Sequence, residues 1–353
     1  MENVVTMRVL IIGNMGYIGP VVVRELRTRA PESTLIGIDT GYFSHCLTNS
    51  GALPEVLLDQ QLFADVRQLR ELPACDAVIY LAALSNDVMG NLNEDATMDI
   101  NHRSAIRIAE MAKRNGARTF VYASSCSVYG FAEDAARTEQ SEVNPLTAYA
   151  RSKIAAEKDL ASLADDSFVI TCLRFATACG MSERLRLDLV LNDFVAAALA
   201  SGTIKILSDG TPWRPLIDVK DMARAMAWAI AREADNGGAF LVVNAGSNRW
   251  NFRVRELAEV VAEELPGTEI SINREAAPDK RSYRVDFSLF EKLAPYAQPQ
   301  VEIRQTVREL AAGLRAMDFK DAAFRQSNFM RIQMLNRHRA EGRLREDLTW
   351  ERR

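Results

Sequence analysis

The sequence has few of the residues that build disulfide frameworks or metal clusters. Only five cysteines and three histidines occur among 353 residues. The cysteines are odd in number and show no CxxC spacing, which argues against both a disulfide scaffold and a structural zinc site. We therefore expect reduced thiols, no metal and a cytoplasmic protein. The five thiols are Cys46, Cys75, Cys126, Cys172 and Cys179.

Long hydrophobic runs and blocks of positive charge are also missing. No stretch approaches the roughly eighteen apolar residues that cross a bilayer, and the start, MENVVTMRVLIIG, lacks the basic region and cleavage site of a secretory signal. The net charge of −4 supplies no positive field for nucleic acid or an anionic membrane. The expected partner is a small molecule, with no nucleic acid and no membrane involved.

What the first half of the chain does contain is an alternation of short apolar runs and longer amphipathic ones. This pattern is typical of parallel strands joined by crossover helices, and strands this apolar are covered on both faces. It predicts an α/β fold built on a Rossmann-type, doubly wound parallel sheet. The predicted strands are Val9–Ile12, Leu35–Ile38, Gln61–Ala64, Ala77–Leu81, Thr119–Ala123 and Val169–Leu173, and the predicted helices are Tyr17–Thr28, Glu94–Asn115 and Tyr149–Leu163.

After Arg174 the alternation becomes irregular, which predicts a smaller C-terminal substrate domain interleaved with the large one. We expect a NAD-binding domain over 1–175 to which 214–245 returns, a substrate domain over 176–213 and 246–317, and a helical tail over 318–353. The tail mixes apolar residues with many arginines. A helix packed on the body with a solvated basic face is the favoured interpretation, and a membrane or nucleic-acid role is the alternative.

A glycine-rich loop follows the first predicted strand and opens the first helix, with the sequence Gly13-Asn-Met-Gly16-Tyr-Ile-Gly19. Glycines at this place allow a sharp turn, a close approach to a pyrophosphate and tight packing of helix on strand, and the helix N-terminus offers free amides to the phosphates. Asp39 ends the second strand, where an acid accepts hydrogen bonds from ribose hydroxyls. Because that carboxylate would repel a 2′-phosphate, NAD is favoured over NADP.

Tyr149 and Lys153 lie four residues apart at the start of a predicted helix, so both side chains face the same way. A lysine ammonium near a phenol favours the phenolate and lowers its pKa from about 10 towards the range of a general base. The spacing alone is common by chance. It gains weight from its position after the glycine loop and after the strand-end segment Ser124-Ser125-Cys126-Ser127-Val128-Tyr129-Gly130.

This succession of motifs closely resembles the extended short-chain dehydrogenase/reductases, and among them the sugar-nucleotide epimerase/dehydratase branch. The resemblance extends from about Arg8 to Leu314. It implies a tightly held NAD, a nucleoside-diphosphate-sugar substrate, and a homodimer formed by helices Glu94–Asn115 and Tyr149–Leu163.

The resemblance also implies roles for individual residues. In the cofactor site it places the loop residues Met15, Tyr17 and Ile18 beside the three glycines, Asp65 and Val66 at the adenine, and Leu81, Ala82 and Ala83 under the phosphates. Tyr80 stands where the family usually has His, a departure expected to be tolerated. Ser125 is implied as the hydroxyl beside Tyr149 that hydrogen-bonds the reacting sugar oxygen. The other implied substrate residues are Ser85, Thr177, Arg184, Arg186, Asn192, Arg214 and Arg281; Thr177 replaces an Asn found in many relatives.

The family's chemistry begins with oxidation of a sugar hydroxyl to a keto-sugar. Related 4,6-dehydratases carry an Asp-Glu pair directly after the catalytic hydroxyl, whereas this chain has Cys126 and Ser127, so 4,6-dehydration is disfavoured. An NAD-dependent epimerase is the leading hypothesis. A net oxidoreductase acting on a GDP-heptose or deoxysugar, and an NAD-sensing protein without catalysis, are the alternatives. The sequence leaves open the nucleotide base, the sugar and the carbon that reacts.

Overall fold

The computed structural model describes residues 6–48, 51–85, 87–132, 135–273, 275–276 and 282–351. The described strands are β1 (Arg8–Ile12), β2 (Thr34–Asp39), β3 (Gln60–Phe63), β4 (Ala77–Tyr80), β5 (Thr119–Ser125), β6 (Val169–Phe175), β7 (Thr177–Cys179), β8 (Thr203–Ile206), β9 (Trp213–Asp218), β10 (Phe240–Ala245), β11 (Asn251–Arg253) and β12 (Glu269–Ile272). The described α-helices are α1 (Gly19–Arg29), α2 (Asp87–Leu92), α3 (Glu94–Met98), α4 (Ser104–Arg114), α5 (Ala148–Ala161), α6 (Val190–Ser201), α7 (Val219–Ala231), α8 (Val254–Glu264), α9 (Ser288–Leu293), α10 (Ile303–Ala316) and α11 (Arg331–Ala340). None of these helices is long and apolar enough to cross a membrane.

Seven parallel strands form the main sheet in the order β10-β6-β5-β4-β1-β2-β3. Side chains alternate between its faces: Val9 and Ile11 enter a core shared with α1 and α7, while Leu10 and Ile12 enter the core on the other face, with α4 and α5. The predicted doubly wound Rossmann-type sheet is therefore confirmed. Because β1 pairs with β2 on one side and β4 on the other, the chain reverses its winding there and opens a crevice at the strands' carboxyl ends.

The second half of the chain builds two small sheets, β11-β9-β7 and β12-β8. Helices α6, α8 and α10 pack on one another beside them. The strand β10 returns to the main sheet, where it pairs with β6. Most of β9 also falls within the range 214–245 that was expected to return to the NAD-binding domain. This strand, however, pairs with β7 and β11.

The predicted helix over Glu94–Asn115 is one continuous helical run whose middle, Asp99–Arg103, is a π-helical turn. This turn presents Asn101, which is fully buried. Its side chain accepts a hydrogen bond from the Leu84 amide at 2.9 Å and donates to Ser152 Oγ at 3.0 Å. Asn101 thus joins the loop after β4 to α5.

The C-terminal tail crosses back to the loop that follows β2. Met334 and Leu335 of α11 are buried, whereas Arg337 and Arg339 are exposed, as expected for a packed helix with a basic outer face. Further along, Trp350 Nε1 donates to Thr40 O at 2.6 Å. The last described residues therefore lie beside the end of β2.

A buried ion pair connects α5 to the carboxyl ends of the central strands. Arg174, at the end of β6, donates from Nε and Nη2 to Glu157 of α5 at 3.0 and 2.6 Å. Ser124 Oγ donates to the same carboxylate at 2.5 Å. Arg174 Nη1 also donates to Tyr129 Oη at 3.0 Å, which in turn donates to Asn244 Oδ1 at 2.6 Å. Every member of this network is nearly inaccessible to solvent.

Glu157→Ala would leave the Arg174 guanidinium buried without its carboxylate. We expect this to lower the free energy of unfolding by about 3–5 kcal/mol, the usual effect of breaking a buried pair, as measured by urea denaturation. The matched control is Glu259→Ala, which removes the partner of Arg255 in a pair on α8 whose side chains are 50% and 57% exposed and should cost about 0–1 kcal/mol. Equal losses from the two substitutions would contradict this role for the buried pair.

Candidate active site

A cavity of about 900 Å³ lies at the carboxyl ends of the main strands. Most of the predicted site residues line it. They are Gly13, Gly16, Tyr17, Ile18, Gly19, Asp39, Asp65, Val66, Leu81, Ala82, Ala83, Ser85, Ser125, Tyr149, Lys153, Thr177, Arg186 and Arg214.

The glycine loop forms the floor of the cavity between β1 and β4. The Gly13 amide donates to Ile38 O at 2.8 Å, and its φ of +89° is a backbone conformation that favours glycine. A Cβ at Gly13 would lie 2.5 Å from Ala82 N, and one at Gly19 would lie 2.0 Å from Asn14 O. Neither position tolerates a side chain, because the loop packs directly against the backbone of Ala82 and Asn14.

Asp39, at the end of β2, faces this loop. Its carboxylate accepts hydrogen bonds from the Met15 amide at 3.0 Å and the Gly41 amide at 2.7 Å. Burial raises the pKa of Asp39, and the two amides oppose that shift. Met15 therefore contributes through its backbone, while its side chain is buried in the core.

Two further residues of the predicted cofactor region, Asp65 and Tyr80, have partners within the protein. Asp65 forms a close ion pair with Arg67, with Oδ2 and Nη2 2.6 Å apart. Tyr80 is buried, and its hydroxyl donates to Ile100 O at 2.5 Å in the π-helical turn. The phenol of Tyr80 is fully enclosed and has a hydrogen-bond partner, so this side chain is accommodated without strain on its polar group.

Tyr149 and Ser125 meet at the cavity wall. Thr147 begins α5 by accepting a hydrogen bond from the Ala150 amide on Oγ1 at 3.2 Å, which fixes Tyr149 in the first turn. Burial raises the pKa of Tyr149 to about 12; the Ser125 hydroxyl and then the Arg186 guanidinium act to lower it. Ser125 Oγ accepts from the Ser127 amide at 3.2 Å, so its own proton is available for another acceptor.

Lys153 lies one helical turn further along α5 and is 2% exposed. Its ammonium donates to Ala123 O at 2.7 Å and lies 5.5 Å from the centre of the Tyr149 ring. Burial lowers the pKa of Lys153 to about 7, although Glu157 acts in the opposite direction. Near neutral pH the group is therefore close to the midpoint of its titration.

Arg186 supplies the positive charge on the opposite wall. It forms two hydrogen bonds of 2.9 Å with Asp188 and donates to Ser85 Oγ at 2.9 Å. The guanidinium is almost fully buried, and the Asp188 carboxylate raises its pKa against the effect of burial. Ser85, Arg186 and Tyr149 thus surround the same end of the cavity.

Two predicted substrate residues lie behind the cavity wall instead. Arg184 donates to Phe43 O and Ser44 O and pairs with Glu55 at 2.8 Å. Asn192 donates to Tyr17 Oη and Arg186 O and accepts from the Gly180 amide. Both side chains have internal partners, so they connect loops rather than face the cavity. Arg281 lies outside the described residues.

The structure adds a cavity residue that the motifs do not single out. Asp87 begins α2, lines the cavity and accepts a hydrogen bond from Thr147 Oγ1 at 2.8 Å. Its charge raises the pKa of Tyr149. A sequence signal was available, since polar residues directly after β4 sit at the carboxyl edge of the sheet, where ligands bind.

These residues fit a dinucleotide. The glycine loop lines the cavity at the start of α1, where a loop of this kind suits a diphosphate, and Asp39 offers carboxylate oxygens for ribose hydroxyls. Tyr149, Ser125 and Lys153 stand at the other end of the cavity. Such a site would hold a cofactor and a second ligand end to end.

Comparisons with known proteins agree with this geometry. A model of the NAD dependent epimerase/dehydratase family matches residues 9–246. An uncharacterized UDP-glucose epimerase of Bacillus subtilis is 28% identical over 238 residues, which cover 64% of this chain and 73% of that protein. UDP-glucuronic acid decarboxylase 6 of Arabidopsis thaliana is 24% identical over 85% of this chain and 86% of its own. The structure of MoeE5 in complex with UDP-glucuronic acid and NAD superimposes with a TM-score of 0.74 at 25% identity, covering 88% of this chain and 99% of that one.

The position of Asp39 predicts a preference between the two nicotinamide cofactors. NAD(H) should bind more tightly than NADP(H), because the carboxylate repels a 2′-phosphate. Asp39→Asn removes the charge and keeps one oxygen acceptor. It should therefore reduce the ratio between the NAD(H) and NADP(H) affinities by roughly tenfold, or about 1.4 kcal/mol. Isothermal titration calorimetry measures both affinities, with the exposed Asp166→Asn as control. Equal affinities in the unsubstituted protein would refute the role given to Asp39.

Proposed function

Since the chain belongs to the NAD-dependent epimerase/dehydratase family, we propose that it is a sugar-nucleotide epimerase that works through a transient keto-sugar. The observation that carries the proposal is the meeting of Ser125, Tyr149 and Lys153 in one cavity with the glycine loop. NAD is the cofactor of this family, and bound NAD supplies a hydride acceptor and, once reduced, a hydride donor. The substrate is a nucleoside diphosphate sugar.

In this proposal Tyr149 Oη takes the proton of a sugar hydroxyl as that carbon is oxidised, and returns it when the carbonyl is reduced. Ser125 donates its free hydroxyl proton to the same sugar oxygen. Lys153, buried 5.5 Å from the phenol ring, is the nearby cation that favours the phenolate when it is protonated. Hydride return to the opposite face of the ketone inverts the carbon.

The surroundings of Ser125 disfavour elimination of water in the manner of a 4,6-dehydratase. Cys126 stands where those enzymes carry an acid, and it is fully buried with its thiol donating to Arg174 O at 3.0 Å. Burial raises the pKa of Cys126 well above its usual value, so the thiol stays protonated. A protonated, enclosed thiol is neither a base nor accessible to the sugar ring.

The substrate end of the cavity is proposed to be formed by Ser85, Thr177, Arg186 and Arg214, with residues 176–213 and 246–317 as the substrate domain. Arg214 of β9 and Arg186 both line the cavity, and Arg186 Nη1 donates a hydrogen bond to Ser85 Oγ. Guanidinium groups grip phosphate oxygens through two parallel hydrogen bonds. Arg214 is therefore proposed to bind the substrate diphosphate, whereas Arg186, whose guanidinium is paired with Asp188, is proposed to lie at the sugar or phosphate pocket.

A panel of UDP-, GDP-, dTDP- and CDP-sugars, incubated with the protein, tests the proposal. We expect one of them to yield an epimer without net change in NADH absorbance, because the hydride is returned to the sugar. Product stereochemistry is followed by NMR. Stoichiometric accumulation of NADH with an oxidised sugar would replace the epimerase by a net oxidoreductase.

Once a substrate is identified, substitution of the phenol tests the proton transfer. Tyr149→Phe should lower turnover by about 10²–10⁴, the range for a positioned acid–base group, while calorimetric NAD binding survives. Lys153→Met should also lower turnover and, where Lys153 is protonated, move the pH–rate profile to more alkaline pH, because a nearby cation favours the phenolate. Turnover should rise with pH as the phenol loses its proton.

The matched control is Tyr129→Phe. Its hydroxyl bridges Arg174 and Asn244 inside the protein, so the substitution should affect stability more than the chemical step. If Tyr149→Phe kept near-normal activity while Tyr129→Phe lost it, the catalytic base would have to be sought elsewhere.

We also propose that the protein is a homodimer in which α4 and α5 pair with their copies across a two-fold axis. Ile106 and Ile154 are only partly buried on these helices, and Leu92 of the adjoining α2 is 63% exposed. Light scattering at micromolar concentration should give twice the mass of one chain, and Ile154→Glu should lower the measured mass to that of a single chain. Val56→Glu, at a position 71% exposed elsewhere, is the control. A single-chain mass for the unsubstituted protein would refute the dimer.

A further inference from the structure

The tail helix α11 brings an arginine to the wall of the main cavity. Arg331 is its first residue and is 1% exposed, yet it lines the cavity together with its neighbours Met330 and Ile332. These three residues come long after residue 246, where the family match ends. The cavity is therefore completed by a segment outside the matched region.

The guanidinium of Arg331 is only partly satisfied by the protein. Nη2 donates to Arg184 O at 2.6 Å, and the group lies 4.5 Å from the centre of the Phe43 ring. Within the described part of the chain, however, Nη1 is buried without a hydrogen-bond partner. A buried charged donor left unpaired is costly, and native proteins rarely keep one without a ligand or water.

The charges around Arg331 leave a positive excess. Its two arginine neighbours have carboxylate partners, Arg184 with Glu55 and Arg186 with Asp188. The adjacent Cys46 thiol stays protonated because burial raises its pKa, so it adds no negative charge. Among the ion pairs of the described residues, none includes Arg331.

The contacts of Arg331 locate it at the cofactor end of the cavity. Phe43, on which it lies, belongs to the loop directly after Asp39. The tail fixes this same loop at two further points, where His338 Nε2 is 3.0 Å from Tyr42 O and Trp350 donates to Thr40 O. A dinucleotide whose ribose binds Asp39 has its diphosphate next to that ribose and over the glycine loop, in the cavity that Phe43 and Arg331 also line.

We infer that Arg331 donates from Nη1 to the diphosphate of the bound NAD, on the side opposite the glycine loop, and that Met330 and Ile332 complete the wall there. This assignment rests on NAD as the cofactor. A diphosphate also occurs in the nucleotide sugar, but Phe43 and the Asp39 loop place Arg331 at the cofactor's.

Calorimetric titration of the full-length, cofactor-free protein with NADH, ADP-ribose and UDP tests the inference. Arg331→Met should raise the Kd of NADH and of ADP-ribose by roughly 10- to 100-fold, as expected for loss of a charge-assisted hydrogen bond, and should leave UDP affinity nearly unchanged. The control is Arg339→Met, an exposed arginine of the same helix, which should change none of the three.

Unchanged NADH affinity in Arg331→Met would overturn the inference. A larger loss for UDP than for NADH would also overturn it, since the contact would then belong to the substrate's diphosphate. If Arg331→Met melts far below the unsubstituted protein, Arg331→Gln decides, because the glutamine amide can still donate a hydrogen bond to Arg184 O but carries no charge for a phosphate. Weaker NADH binding at a normal melting temperature supports the inference, and equal binding refutes it. No sugar substrate enters these titrations, so failure to find epimerase turnover would not affect their outcome.

Discussion

Helix α5, which carries Tyr149 and Lys153, is held in place by one buried ion pair, Glu157 with Arg174. Tyr149, Lys153 and Glu157 follow one another along α5 at intervals of one helical turn. The ion pair of Glu157 therefore also fixes the direction in which the other two side chains leave the helix. Arg174 comes from β6, the Ser124 hydroxyl that shares the carboxylate comes from β5, and Tyr129 extends the network to Asn244 of β10. Because breaking a buried ion pair is costly, the carboxyl edge of three strands and the orientation of α5 are set together.

This arrangement also determines the electrostatics of the site. Burial raises the pKa of Tyr149 to about 12 and lowers that of Lys153 to about 7. Both shifts favour the neutral form of the side chain, so they oppose an ionised phenol beside a charged lysine. The protein by itself therefore keeps the proton on Tyr149. A positive charge brought by a ligand, together with Arg186 on the facing wall, would favour release of that proton. Ligand binding and activation of the base are thus coupled in the proposed cycle.

Local patterns in the sequence predict the main sheet well, because apolar strands and glycine turns are set by neighbouring residues. The strand predicted at Val9–Ile12 is observed at Arg8–Ile12, and the helix predicted at Tyr149–Leu163 is observed at Ala148–Ala161. Arg184 and Asn192 were harder to place, since a polar residue near a site can face either a ligand or another loop. Their partners, Glu55 for Arg184 and Tyr17 for Asn192, are distant in sequence, and no periodicity reveals such contacts. The position of the tail was unpredictable for the same reason.

The return of the tail to β2 has a consequence for how the chain is made. Thr40 and Trp350, which touch in the folded protein, are separated by 310 residues. At roughly 5–20 residues per second, the ribosome needs about 15–60 s to travel that distance. The glycine loop and Asp39 emerge early, while α11 and the segment that reaches Thr40 emerge late. During synthesis the nascent chain therefore exposes the loop after β2, and the wall beside Asp39 is complete only after residues 331–350 have been synthesised.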